Sequence, residues 1–271
     1  MDEITINMNL LQNCTPNIYV KLNSYSLQPT VIHAEKESAW ATWKVRDISP
    51  KETFSLTVSY YVCSFSLNYI DHIIANKIGD YDLSSSIYRE YTQPEEYIQS
   101  RNPIITDHAQ SIVGSETNPY HKAKKIYDWI VDNIVYDWEA REKDALWVLR
   151  NKRGVCTGYS YLFVALCRAV GIPARICFGH AITDSNEETG HMWSEFYLPN
   201  YGWIPVDLTF RQFAKLDHNH YYEFKGLVKE QHTWFRYWYM GIEPKIDYGW
   251  YATRKASSID SFPDEFVKSL Y

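Results

Sequence analysis

The stretch that decides the fold is residues 154–173, which reads GVCTGYSYLFVALCRAVGIP. Its apolar side chains recur at the spacing of one helix face, and these are Leu162, Phe163, Leu166, Ala169 and Val170. Gly171 stands where helices commonly end in a left-handed residue, and Pro173 prevents continuation. Because Tyr159 and Cys167 add apolar surface on other sides, the spacing predicts a buried central helix that begins at or next to Cys156.

Cys156 is thereby predicted at a helix N-terminus, where a thiol has distinctive chemistry. Unpaired backbone N–H groups and the helix dipole favour negative charge there, which lowers the thiol pKa toward the reactive thiolate. The same amides can donate hydrogen bonds to the oxyanion of an acyl transfer. A cysteine taken alone is more often a small buried hydrophobic residue, the role that we expect for Cys167 and Cys177. A catalytic role for Cys156 therefore requires a partner base.

Residues 191–209 supply a candidate base and its carboxylate. Residues 191–197 (HMWSEFY) and 203–209 (WIPVDLT) alternate in polarity on either side of the turn sequence LPNYG, which predicts a β-hairpin. If Tyr197 pairs with Tyr201, His191 lies directly opposite Asp207 on the same face. A register shift by one residue would place them on opposite faces. In the predicted register the aspartate orients the imidazole, whose other nitrogen faces the thiol.

Three sequence blocks resemble the transglutaminase-like superfamily of papain-fold cysteine enzymes, including its bacterial and archaeal transglutaminase-like cysteine proteases. The blocks are residues 154–175, residues 190–195 (GHMWSE) and residues 202–209 (GWIPVDLT). A weaker fourth block is residues 134–136 (IVY), at the end of a predicted helix. Together with that helix, the blocks extend over residues 119–210.

The resemblance implies Cys156 as nucleophile, His191 as base and Asp207 as orienter. It also implies an α+β fold, with a papain-like or transglutaminase-like core whose cysteine helix packs on an antiparallel sheet. The implied function is a cysteine-dependent amide hydrolase or acyltransferase, of protease, amidase or transglutaminase type, that forms a thioester acyl-enzyme. The expected partner is a protein or peptide substrate, including glycan-linked or cell-wall-linked peptides, and no cofactor is expected.

Because a fold does not fix a substrate, two alternatives stay open. One is a catalytically silent transglutaminase-like binding or scaffold protein. The other is a peptide N-glycanase-like amidase that removes glycans from peptides.

The second oxyanion donor is not evident in the sequence. Papain-like enzymes use a glutamine shortly before the cysteine, and residues 150–155 (RNKRGV) contain none. The Cys156 backbone amide is the first candidate donor. Trp138, Trp147 and Trp193 are further candidates for an oxyanion-binding or substrate-positioning role.

The rest of the chain predicts two domains. Short alternating segments before about residue 85 indicate an N-terminal all-β, sandwich-like module, assigned to residues 1–90, and the catalytic domain is assigned to residues 91–271. Within the latter, the periodicity predicts helices over 103–113, 119–135 and 144–150. Residues 221–251 are rich in aromatic side chains, which either complete the sheet or form a rim of stacking surfaces near the site.

Composition excludes several classes of protein. The net charge of −6 argues against a general nucleic-acid binder, and the sequence has no apolar run long enough for a membrane span. Five irregularly spaced cysteines do not form a disulfide framework, and no signal peptide is visible, so a reduced cytoplasmic location is expected. Asp217, His218 and His220 lack a further ligand with suitable spacing, so no metal is expected.

Overall fold

The computed structural model describes residues 3–13, 17–35, 38–49, 52–140, 142, 144–182, 188–230 and 234–238. Its N-terminal part is rich in strands, as the alternation predicts. These are β1 (Glu3–Asn9), β2 (Ile18–Tyr25), β3 (Val31–Ala34), β4 (Ala39–Arg46), β5 (Val58–Ser64) and β6 (Leu67–Asn68). Strands β1, β4 and β3 lie in one antiparallel sheet, while β2 pairs with β5 in another. The sandwich-like arrangement and the boundary near residue 90 stay predictions.

The helices follow, and their starts agree with the sequence signals. They are α1 (Ser86–Tyr91), α2 (Pro103–Val113), α3 (Pro119–Asn133), α4 (Ala145–Asn151) and α5 (Cys156–Ala169). The side chains of Asn102, Asn118 and Asp144 each accept a first-turn amide hydrogen bond, capping α2, α3 and α4. Two short strands, β7 (Val135–Tyr136) and β8 (Arg153–Gly154), pair in parallel just before α5.

Helix α5 is the buried centre of the α-helical layer, as predicted. All its residues from Gly158 to Arg168 are buried, and α2, α3 and α4 pack around it. Gly171 has a φ of 80°, the left-handed conformation expected just after a helix end. At the other end, Val155 occupies the N-cap position and has no side-chain oxygen that could cap the helix.

Helix α5 packs on a five-stranded antiparallel sheet. The remaining strands are β9 (Ala174–Ile182), β10 (Glu188–Leu198), β11 (Gly202–Asp207), β12 (Gln212–Phe213), β13 (Lys215–Leu216), β14 (His220–Gly226) and β15 (Trp234–Trp238). The order in the sheet is β12-β11-β10-β9-β14, with β10 at its centre. Strand β13 pairs with β6, and β15 pairs with β1. The described chain is therefore an α+β protein with antiparallel sheets, which confirms the predicted fold class.

The two faces of this sheet contribute to different hydrophobic cores. Met192 and Phe196 of β10 join the core that contains α5. Trp193 instead joins a smaller core with Ile18 and Tyr222, against which side chains of β2 and β5 also pack. In the predicted aromatic region, Tyr222 and Phe224 are buried in β14, which agrees with strands completing the sheet. The aromatic residues after Trp238 lie outside the described residues.

Gly179 is a close-contact position beside the site, and we expect Gly179→Ala to be strongly destabilising. A Cβ there would lie 1.9 Å from the backbone oxygen of Tyr221, so β14 would have to move away from β9. We expect a loss of about 3 kcal/mol, the upper range for overpacking, and a melting temperature lower by about 6–12 °C. Thermal unfolding followed by circular dichroism measures the change.

Gly190→Ala is the matched control for this prediction. A Cβ at Gly190, on the neighbouring strand β10, would meet no atom within 4 Å. Equal melting temperatures for the two variants would contradict the close approach of β14 to Gly179.

Candidate active site

Cys156 is the first residue of α5, at the position that the sequence predicts. Its thiol is free and partly accessible. The parallel pairing of Tyr136 with Gly154 holds the chain immediately before the helix. Because Val155 provides no capping oxygen, no side chain at that position competes for the amides of the first turn of α5.

His191 and Asp207 share a sheet face, but their predicted register is wrong. Tyr197 pairs with Trp203, not with Tyr201, and Leu198 pairs with Gly202 around a three-residue loop. The loop lies one residue later than predicted because Asn200 and Gly202 adopt φ values of 71° and 82° there. The resulting offset of two residues preserves the alternation of side chains, so both groups stay on one face. His191 Nε2 lies 2.6 Å from Asp207 Oδ2.

The His191 ring is held between hydrogen bonds and aromatic rings. Since Nε2 bonds to Asp207, Nδ1 is the nitrogen left for the thiol, and the His191 side chain hydrogen bonds to Cys156. The ring stacks on Phe210 with a centroid distance of 4.8 Å and on Trp193 at 5.9 Å. Its backbone partner on β9 is Gly179, which places no side chain beside it. The structure thus brings together Cys156, His191 and Asp207.

The electrostatics of the site favour an ionised thiol and a protonated imidazole. Burial by itself raises the pKa of the Cys156 thiol, but the hydrogen bond and charge of His191 bring that pKa below its ordinary value. The backbone amide of Met192 and the hydroxyl of Thr157 lower it further. Burial opposes the charge of His191 too, yet the charge and hydrogen bond of Asp207 raise the pKa of His191 to about 10. At neutral pH these shifts favour a thiolate–imidazolium pair.

Asp207 is a buried carboxylate with every acceptor position in use. Its Oδ1 accepts 2.8 Å hydrogen bonds from the Thr209 amide, the Thr209 hydroxyl and the Phe210 amide. Its Oδ2 accepts from His191 and from a second histidine, His220, at 2.9 Å. Burial would raise the pKa of Asp207, but the two histidines hold it far below its usual range. Asp207 is therefore an anion at neutral pH.

His220 belongs to the site, although its sequence spacing from Asp217 and His218 suggested no role beyond metal binding. His220 Nδ1 lies 2.9 Å from Asp217 Oδ1, and the ring is fully buried. His191, Asp207 and His220 place one candidate ligand atom each within 4.8 Å of one another. Tetrahedral zinc would separate such atoms by roughly 3.3 Å, given bonds of about 2.0–2.1 Å. The distances of 2.6 and 2.9 Å to Asp207 Oδ2 are shorter and fit hydrogen bonds.

The three tryptophans considered for oxyanion binding lie in different environments. Trp138 is 78% exposed, Trp147 is partly buried on α4 against the Arg153 guanidinium, and Trp193 is fully buried. Trp193 stacks on His191, so its contact within the triad is with the base. Trp138 instead packs edge-on against Tyr136, with ring centroids 5.1 Å apart.

Tyr136 is a residue of the site for which the sequence alone predicts no role. Burial raises its pKa to about 12, the nearby Cys156 charge adds to this, and a hydrogen bond with the Cys156 backbone amide opposes it. Its hydroxyl thus lies beside the amide that is the first candidate oxyanion donor. The weak sequence block at residues 134–136 was the available signal, since it ends on this tyrosine.

A cysteine at the start of a central helix, with a histidine and an aspartate on the adjoining antiparallel sheet, is the arrangement of papain-like cysteine-enzyme folds. Residues 106–208 match the sequence model of the transglutaminase-like superfamily core. This segment is therefore similar to the core of the transglutaminase-like superfamily.

Two curated proteins and a solved structure are similar to this chain. An uncharacterized protein of Haemophilus influenzae is 33% identical over 44% of this chain and 39% of its own length. The uncharacterized protein YebA of Bacillus subtilis is 25% identical over 44% of this chain and 20% of its own length. The chain thus matches well under half the length of these curated relatives. A solved structure from Cytophaga hutchinsonii, named a candidate cysteine protease, covers 93% of this chain and 90% of its own, with a TM-score of 0.62 and 20% identity.

In the part of the chain that the structure describes, no helix is both long and apolar enough to cross a membrane.

Proposed function

We propose that this protein is a cysteine-dependent amide hydrolase or acyltransferase with Cys156, His191 and Asp207 as its triad. The observation that carries the proposal is the chain of contacts from the Cys156 thiol through His191 to Asp207, with a distance of 2.6 Å between the last two. The lowered thiol pKa supports the same assignment, since thiolate is the reactive form. A protein or peptide is the proposed substrate.

The reaction divides into acylation and deacylation. The Cys156 thiolate attacks the amide carbonyl, and the carbonyl electron pair moves onto oxygen. When the tetrahedral intermediate collapses, the carbon–nitrogen bond breaks and His191 gives its proton to the departing amine, leaving a thioester. His191, now neutral, takes a proton from water as it attacks the thioester, and the carboxylic acid and thiolate are released. An amine in place of water gives transamidation.

The proposed experiment incubates the protein with a peptide library, with and without a primary amine, and reads the products by mass spectrometry. Cleaved peptides support a protease, a mass gain of about 1 Da on glutamine supports deamidation, and amine adducts support transamidation. Glycopeptides in the library test the glycan-removing alternative. Binding without any product, from protein whose Cys156 is intact, would favour the silent scaffold and contradict our proposal.

We further propose that the Tyr136 hydroxyl, which lies beside the Cys156 amide, donates a hydrogen bond to the oxyanion. We expect Tyr136→Phe to lower kcat by about 100-fold with little change in KM, because a lost oxyanion donor acts mainly on the transition state. The rate of Cys156 alkylation should change far less, since alkylation forms no oxyanion. Steady-state kinetics on the substrate identified above and iodoacetamide labelling measure the two effects.

Tyr97→Phe is a control of matched exposure. Tyr97 is 39% exposed against 38% for Tyr136, and its ring stacks on Tyr161. If the two variants had the same kcat, the oxyanion role of Tyr136 would be wrong.

A further inference from the structure

His220 contacts the proposed triad from a separate strand. It begins β14, where its backbone pairs with Ala181 of β9. Its side chain is fully buried, and each ring nitrogen bonds to a different carboxylate. Nε2 bonds to Asp207 at 2.9 Å, and Nδ1 bonds to Asp217 at 2.9 Å. No step of the proposed reaction uses this residue.

The two carboxylates determine the protonation of the ring between them. The pKa of Asp207 lies far below its usual range, and hydrogen bonds from His220 and its neighbours lower the pKa of Asp217 to about 2 against the effect of burial. Both groups are therefore anions at neutral pH, and an ionised carboxylate only accepts hydrogen bonds. His220 can donate to both of them only as an imidazolium cation, the form that its raised pKa also favours.

We propose that His220 is a positioning residue which, held between Asp217 and Asp207, fixes the Asp207 carboxylate against His191 and offsets part of its charge. This inference rests on the proposed function for its catalytic meaning. Asp207 Oδ2 accepts a hydrogen bond from each of the two imidazoles. The carboxylate therefore cannot rotate without losing two charge-assisted hydrogen bonds, and this holds it in place against His191.

The charges along this chain of contacts alternate. They run from the Cys156 thiolate through His191 and Asp207 to His220 and end at Asp217, a side chain that is 33% exposed. The ring centroids of His191 and His220 are 5.8 Å apart, so the two cations repel each other. The positive charge of His220 thus limits how far Asp207 raises the pKa of His191. A limit is needed because His191 must release its proton to the leaving amine in each turnover.

The surroundings of His220 are largely aromatic. Trp193 and Phe210 pack against its ring at centroid distances of 5.1 and 5.4 Å. The titratable groups that face it are Asp207 at the end of β11, His191 on β10 and Asp217 in the turn before β14. Gln212 anchors Asp217 by donating to its carboxylate and accepting from its amide.

The first test uses the unaltered protein. Nitrogen-15 NMR of the histidine rings reports protonation directly, because both ring nitrogens of an imidazolium carry hydrogen. We expect His220 to be doubly protonated at pH 8, where ordinary histidines are neutral. A neutral His220 ring at that pH would overturn the proposal, whether or not any variant folds.

The second test compares His220→Gln with His220→Met. Glutamine can still donate to Asp207 without a charge, whereas methionine cannot donate. Loss of the positive charge of His220 raises the pKa of His191. The alkaline limb of the Cys156 alkylation profile, where His191 loses its proton, should therefore move to higher pH in His220→Gln. At 5.8 Å and an effective dielectric constant of about 20, the shift can reach about two units. We expect kcat to fall about tenfold in His220→Gln and about 100-fold in His220→Met.

His218→Gln is the control, since His218 is exposed in the same turn. It should leave both the alkylation profile and kcat unchanged. A purely packing role for His220 predicts the same kcat in both His220 variants and an unmoved profile, and that result would refute the proposal. Alkylation requires no natural substrate. Failure of the unaltered protein to turn over amides would therefore count against the proposed function while leaving this test intact.

Discussion

Cys156→Ser is expected to lower amide turnover by about 10⁶-fold, more than any other substitution proposed for this protein. The helix N-terminus and the His191 charge are sufficient to favour a thiolate, but a serine hydroxyl ionises far less readily. The fold should persist, because oxygen replaces sulfur at a partly accessible position. Single-turnover kinetics and intact-protein mass spectrometry measure the loss of turnover and of the acyl-enzyme.

Cys63→Ser provides the comparison, since Cys63 is also a free and partly accessible cysteine but lies on β5. Turnover should be unchanged in that variant. An acyl adduct that forms equally well in Cys156→Ser would mean that the nucleophile is another residue.

Asp207→Asn is expected to cause the second largest loss, about 10⁴-fold in kcat, the size typical of removing the orienting carboxylate from a triad. Without the negative charge, the pKa of His191 falls from about 10 toward or below that of an ordinary histidine. The neutral thiol–imidazole pair is then favoured at neutral pH. Alkylation of Cys156 should consequently require a higher pH, approaching the behaviour of a free thiol.

The measurement for Asp207→Asn is the alkylation rate across the pH range in which circular dichroism shows a folded protein. Asp128→Asn is the control, because Asp128 is a surface residue paired with Lys124 one helical turn away. An alkylation profile in Asp207→Asn that matches the unaltered protein would remove Asp207 from the triad.

The helices were predictable from the sequence because their signals are local. Asn102, Asn118 and Asp144 are capping residues at the positions where α2, α3 and α4 begin, and Gly171 ends α5. The hairpin was predictable in type but not in register. Its loop is set by the left-handed backbone of Asn200 and Gly202, and the neighbouring Pro199 and Tyr201 do not distinguish between the two registers in advance.

The rest of the site depends on contacts between distant parts of the chain. His220 lies on β14, which pairs with β9, and neither strand carries a local signal for that pairing or for the contact with Asp207. Tyr136 reaches the Cys156 amide through the parallel pairing of β7 with β8, two strands too short for periodicity to reveal. The pairing of β15 with β1 is a connection of the same kind.

The absence of a capping side chain at the start of α5 constrains both the evolution and the engineering of this protein. A serine, threonine, asparagine or aspartate at an N-cap commonly stabilises a helix by about 1 kcal/mol, and Val155 forgoes that gain. A capping oxygen there would bind amides of the first helical turn, whose partial positive charge favours the Cys156 thiolate that turnover requires. Selection for thermal stability alone at residue 155 would therefore favour variants with a higher melting temperature and a lower turnover number. Libraries at this position should be screened for turnover as well as for stability.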